Sequence, residues 1–189
     1  MIGANAGVAL EKLFERAILD NAATGAEQRC AVARNHGVAV QDKAANRPLV
    51  VLNISSYLFR IVALFEFGTD ARAIEQLARA TRSPAKLEGQ ALRDACAEFA
   101  NMLCGAVNRS LCKQFRHVGM STPFVLENTC AQYLAMLEPS LTQSFTVSVD
   151  GAEWFGLTVC TCTADGIALD FSADEVVQEE AMSGELEFF

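Results

Sequence analysis

Residues 144–163 read SFTVSVDGAEWFGLTVCTCT, two alternating apolar and polar runs around Asp150-Gly151. An Asp-Gly pair suits a type I′ turn, whose twist matches that of antiparallel strands. The chain must therefore build an antiparallel sheet around a hairpin here. A second apolar region, LVVLNISSYLFRIVALFEF, is broken by Asn53, Ser55, Ser56, Arg60 and Glu66. It is too interrupted for a membrane helix and reads as two strands, about 49–56 and 58–67, opened by Pro48 and ended by Gly68. GIALDF, ending near Phe171, reads as a last strand.

Helical periodicity occupies the remaining stretches. Val8, Leu10, Leu13, Phe14, Ala17 and Ile18 recur at helical spacing over 6–23. Residues 24–47 are Ala-rich, polar and ambiguous. Asp70 is placed to cap a helix running to about Thr81, with Ile74 and Leu77 facing inward. Ser83-Pro84 breaks the chain before a long helix from about 85 to 115, and 129–138 is a further helical candidate. Strands and helices are segregated, so the expected class is α+β, a mostly antiparallel sheet with two long helices packed on it. The expected division is a helical arm over 1–47, one domain over 48–172 and an acidic, mobile tail over 173–189. Leu186, Phe188 and Phe189 are that tail's only large apolar residues near its end.

With 51% hydrophobic and 20% charged residues over 189 positions, the chain is a folded domain rather than a disordered one. Its net charge of −8 and the absence of a Lys/Arg cluster argue against nucleic acid and against an anionic membrane surface. The N-terminal residues lack a basic start followed by a long apolar run, so no export signal is expected and the location expected is the cytoplasm. The seven cysteines are then reduced thiols, mostly small apolar filler. No CxxC occurs and His36 and His117 stand without a ligand array, so no metal site is expected.

The stretch DACAEFANMLCGAVN, 94–108, carries polar residues in an ordered way. At about 100° per residue, with Asp94 at zero, Glu98, Asn101, Gly105 and Asn108 fall at about 40°, 340°, 20° and 320°. Leu92, Cys96, Phe99, Leu103 and Val107 gather on the opposite side. Most such polar stripes are merely solvated. Asn and Gly are, however, poor choices for that purpose, and Gly105 costs a helix interior about 1 kcal/mol relative to Ala. A glycine there lets another backbone come close, which suggests docking onto a partner.

These residues resemble the signature of the CheC/CheX/FliY chemotaxis phosphatases, which dephosphorylate the response regulator CheY. Asp94-Ala-Cys-Ala-Glu98-Phe-Ala-Asn101 matches the Asp-x-x-x-Glu-x-x-Asn core, and NMLCG resembles the Asn-Met-x-x-Gly that continues it in CheX-like members. Pro123 follows after twenty-one residues, one short of the family spacing. Only one Glu-x-x-Asn motif is present, so CheX is the closer comparison, over about 48–171.

The resemblance implies a set of roles. Asn101 would orient the attacking water, Glu98 would pair with the regulator's lysine, and Asp94 would support docking beside Gly105, Asn108 and Pro123. The partner would be a phosphorylated CheY-like regulator. No cofactor of the protein's own is implied, since the Mg²⁺ belongs to the regulator. A homodimer is implied as well. Two rivals remain: a module of the same fold that binds without catalysis, and a cysteine hydrolase using Cys104, Cys112 or Cys130 with His117.

Overall fold

A computed structural model describes residues 1–35, 47–83 and 86–172. The expected acidic tail, 173–189, and His36 lie outside the described residues. In chain order the elements are α1 (Ala4–Ala22), β1 (Cys30–Asn35), β2 (Pro48–Ser55), β3 (Phe59–Phe67), α2 (Ala71–Thr81), α3 (Gly89–Gln114), β4 (Gly119–Met120), β5 (Phe124–Glu127), a 3₁₀ segment (Asn128–Leu137), β6 (Leu141–Val149) and β7 (Ala152–Thr163). The seven strands form one sheet in the order β1-β6-β7-β3-β2, with β4 and β5 both on the outer edge of β2. Every strand pairing is antiparallel, so the chain is an α+β protein of the expected kind.

The hairpin forms as its residue types require. Asp150 and Gly151 take positive φ of 51° and 77°, as a type I′ turn demands of both central residues. Asp150 is also tied to β1, since its Oδ1 accepts from the Arg29 N–H at 2.9 Å. One irregularity interrupts the β6–β7 ladder. Val147 pairs with Phe155 but Ser148 pairs with Glu153, which leaves Trp154 as the extra residue of a bulge. Two consecutive aromatic residues of β7 therefore reach the same ring: Phe99 of α3 lies 4.7 Å from Trp154 and 5.5 Å from Phe155.

The helices pack on one face of the sheet. Strand residues of alternating parity, such as Val50, Leu52 and Ile54 in β2 and Ile61, Ala63, Phe65 and Phe67 in β3, meet Leu10, Leu13, Phe14 and Ile18 of α1 and Phe99, Leu103 and Val107 of α3. The opposite parity, Leu49, Val62, Leu64 and Cys160, packs on Ala131 and Leu134 of the 3₁₀ segment. That segment is where a helix is expected over 129–138. α2 is capped as expected, Asp70 Oδ1 accepting from the Arg72 and Ala73 N–H groups at 3.0 and 3.1 Å.

Two expectations change. Residues 1–35 do not stand apart as an arm: Ala6, Phe14, Ile18 and Ala22 are fully buried in the main core, and β1 adds a strand to β6. β1 reads poorly from sequence because, as an edge strand, it has no fully buried residue and turns only Cys30 and Val32 partly toward the core. GIALDF, for its part, is not a strand. Both edges of β7 are already taken, by β3 and β6, so no ladder position beside β7 is open to the segment that follows it.

Instead this segment straps the N-terminus of α1. Leu169 forms an isolated parallel bridge with Ile2, and Asp170 caps the helix from the far end of the chain. Its Oδ1 accepts from the Ala6 N–H at 3.0 Å and its Oδ2 from Asn5 Nδ2 at 3.2 Å, while Gly3, at the N-cap position, has no side chain to do so. Asp170→Ala is expected to lower unfolding stability by about 1 kcal/mol, the usual value of a lost helix cap. Urea unfolding of the two proteins with coincident midpoints would contradict this capping role.

Candidate active site

α3 is held by its apolar side, and this is what gives its outer side a defined position. Ala95, Cys96, Phe99, Ala100, Leu103, Cys104, Val107 and Leu111 are buried. Phe99 falls between Glu98 and Asn101 in sequence and points the opposite way, into a cluster with Phe67, Trp154 and Phe155. Four interlocked rings leave little room for the helix to slide or rotate. Glu98 and Asn101 are thereby presented on the outer side of a rigid element.

Asp94 and Glu98 are exposed, and Asn101, Gly105 and Asn108 are half-buried. Asn and Asp in a helix often bond back to the preceding turn, but Asn101 does not. Neither Asn101 nor Glu98 makes a hydrogen bond or ion pair among the described residues. The free carboxamide offers an acceptor and two donors side by side. The free carboxylate is available to an incoming cation. A Cβ at Gly105 would meet only Arg109 Nη1, at 3.6 Å. The fold itself thus has room for a side chain there, so internal packing does not require the glycine.

The other expected residues are placed differently. Asn108 buries its Oδ1 without a protein partner, so only part of its amide is left for a partner. Pro123 is not on α3. It lies between β4 and β5 on the sheet edge, where a residue without an N–H interrupts the ladder naturally. Ser121 anchors this turn, its Oγ accepting from the Asn53 N–H at 3.1 Å and its own N–H donating to the Asn53 carbonyl at 2.9 Å. No described contact joins Pro123 to Asn101.

Two residues outside the expected set, Gln90 on the same face and Arg93 beside it, bear on Asp94. Gln90 Nε2 donates to Asp94 Oδ1 at 2.6 Å, and Arg93 donates to Gln90 Oε1 from Nε at 3.1 Å and Nη2 at 2.8 Å. Their sequence signal was the i, i+3 and i+4 spacing from Gln90 to Arg93 and Asp94, which any charged helix shows.

The thiol alternative has no comparable geometry. Cys104 is fully buried and its thiol is pushed up to about 12 by loss of hydration. Such a group stays a neutral thiol at ordinary pH and is no nucleophile. Exposed Cys112 turns its Sγ toward the Val118 carbonyl at 3.8 Å rather than toward His117. Among the described residues no three His, Cys, Asp or Glu side chains gather as a metal-binding group, and no helix is long and apolar enough to cross a membrane.

Three clefts lie elsewhere on the described surface. One runs between α2 and the β6–β7 turn, another beside Asp170 and the end of α3, and a third between the start of α3 and β5. Glu98 and Asn101 line none of them. A helix face bearing free polar groups outside these clefts suits docking into the cavity of another protein.

No protein-family model and no curated protein matches the sequence. Solved structures do match. A chain of the CheX–CheY–BeF₃–Mg²⁺ complex from Borrelia burgdorferi superposes with a TM-score of 0.58 at 8% identity, over 82% of this chain and 96% of the other. CheX from Vibrio vulnificus gives 0.52 at 15% identity, over 81% and 96%. A FliM middle domain from Vibrio alginolyticus gives 0.50 at 14% identity, over 91% and 97%. Identities this low speak for architecture alone. The chain has the CheX/CheC-like fold.

Proposed function

We propose that the protein is an aspartyl-phosphate phosphatase that acts on a phosphorylated CheY-type response regulator. The observation that carries this reading is the pair Glu98 and Asn101, one helical turn apart, unpartnered, and backed by the Phe99 cluster. α3 enters the regulator's active site. Asn101 accepts a hydrogen bond from a water with its carbonyl and donates from its NH₂ to a phosphoryl oxygen. The water is thereby held in line with the scissile P–O bond. It adds to phosphorus, the regulator's aspartate leaves as a carboxylate, and inorganic phosphate is released. Phosphoryl transfer is governed mainly by such positioning and by electrostatics, so no covalent bond to this protein is needed.

Asn suits this place because a carboxylate would repel the phosphoryl oxygens. Glu98 does want a charge, since it pairs with the regulator's lysine and sets the register of docking. The Mg²⁺ of the reaction belongs to the regulator and neutralises its phosphoryl group. The work is done in the cytoplasm, where such regulators act. The resemblance to CheX also favours a homodimer, for which β5, with Phe124, Val125 and Leu126 exposed, offers a sheet edge.

The likeness to a FliM middle domain shows the same architecture outside CheX and CheC-like proteins. It favours a second reading, a module that binds a regulator without catalysis. A trace of this protein added to phosphorylated regulator separates the two. The phosphatase shortens the lifetime of the aspartyl phosphate, whereas a silent binder leaves it unchanged or prolongs it.

A further inference from the structure

We infer that Gln90 is a positioning residue that holds Asp94 for a lysine or arginine on the partner, with Arg93 fixing the orientation of the Gln90 amide. The inference rests on the phosphatase reading and names how the edge of the same site selects its partner. On a helix surface a residue faces those three and four positions away, not its immediate neighbour. Arg93 and Asp94 are consecutive and so diverge, and they do not pair directly. Gln90 stands between them. Its carbonyl takes two donors from the Arg93 guanidinium, at 3.1 and 2.8 Å. An amide whose oxygen is engaged on one side must present its NH₂ on the other, and that NH₂ reaches Asp94 Oδ1 at 2.6 Å.

The consequence lies in the charge. Asp94 is fixed by a neutral donor, which orders the carboxylate without cancelling it. A lysine or arginine at position 90 would hold Asp94 equally well but neutralise it. Asp94 Oδ2 has no partner among the described residues, and it faces outward on the strip of Glu98 and Asn101. An ordered, uncompensated carboxylate at the margin of a docking face suits a charge-assisted bond to a basic side chain. Such an edge contact contributes mainly to affinity, partner choice and salt dependence. It does not touch the reacting phosphoryl group.

The test measures binding of a CheY-type regulator activated with beryllofluoride and Mg²⁺, at low and high salt, together with turnover of the phosphorylated regulator. Gln90→Ala and Asp94→Asn are each expected to raise Kd about fivefold, in the range of exposed charge pairs. The double variant is expected to do no more than either single one, because both remove the same contact. The change falls on Kd and KM rather than on kcat. Gln90→Lys is the discriminating variant: lysine is a good helix former, so a purely structural role would leave it silent. Positioning of a free charge predicts a raised Kd and a flatter salt dependence. If Asp94→Asn weakens binding but Gln90→Ala does not, if the two effects add, or if Gln90→Lys is silent, the inference is wrong and the phosphatase reading stands. If the wild-type protein does not bind the activated regulator, both fall together.

Discussion

Asn101→Ala is expected to lower regulator dephosphorylation by about 10²- to 10³-fold, the usual loss when one preorganised hydrogen-bonding group is removed from a reacting centre. Binding of the regulator should change little, since the side chain acts on a water and on a charge distribution that develops in the transition state. The fold should be unaffected as well. Asn101 makes no hydrogen bond within the described residues, and Ala is the better helix former. The variant is therefore expected to unfold at the same or slightly higher temperature while losing activity. Asn101→Asp makes a sharper companion. It keeps the size and the acceptor but replaces the donor with a negative charge, and is expected to be at least as inactive. An activity loss that tracked a loss of folded protein would point to structure instead.

Glu98→Ala is expected to act on the other side of the division between binding and chemistry. A charged pair enclosed at the centre of an interface typically costs about 2–5 kcal/mol when one partner is truncated. At 1.4 kcal/mol per decade, that is about 30-fold or more in Kd. Isothermal titration with the activated regulator reads it directly, and an unchanged Kd would contradict the assigned contact. Glu98→Gln keeps the shape and loses the charge, so it should recover little of the affinity. Because Glu98 is exposed in the free protein, neither substitution should alter stability appreciably.

How much of this could be read from the chain depended on whether local chemistry or long-range packing decided each element. The Asp150-Gly151 hairpin, the Asp70 cap and the paired strands β2 and β3 were legible, since turn type, capping and apolar alternation are properties of adjacent residues. The outward set on α3 was legible for the same reason. Advancing along the helix put Asp94, Glu98, Asn101 and Gly105 on one side, and the structure leaves Glu98 and Asn101 unpartnered there.

Elements decided by distant neighbours were not legible. β1 owes its strand conformation to the free edge of β6, more than a hundred residues away. GIALDF has the composition of a strand, but both sides of β7, the strand it follows, are occupied by β3 and β6, and Asp170 caps α1 instead. The Trp154 bulge hides within a run of good alternation, yet it supplies the ring that locks Phe99. Gln90 was invisible because its role depends on which way its amide points. Pro123 stands one residue short of its place in the motif, and its location on the sheet edge follows from β4 and β5 pairing with β2.

On the proposed function, the face bearing Asn101 hydrolyses an aspartyl phosphate rather than merely binding its carrier. The most direct measurement is the rate of phosphate release from a phosphorylated CheY-type regulator of the same organism. It is followed with catalytic amounts of wild-type protein and of Asn101→Ala side by side. The wild type is expected to accelerate release through many turnovers, while Asn101→Ala binds the regulator and leaves release at its spontaneous rate. Equal acceleration by both proteins, or protection of the phosphate by the wild type, would contradict it.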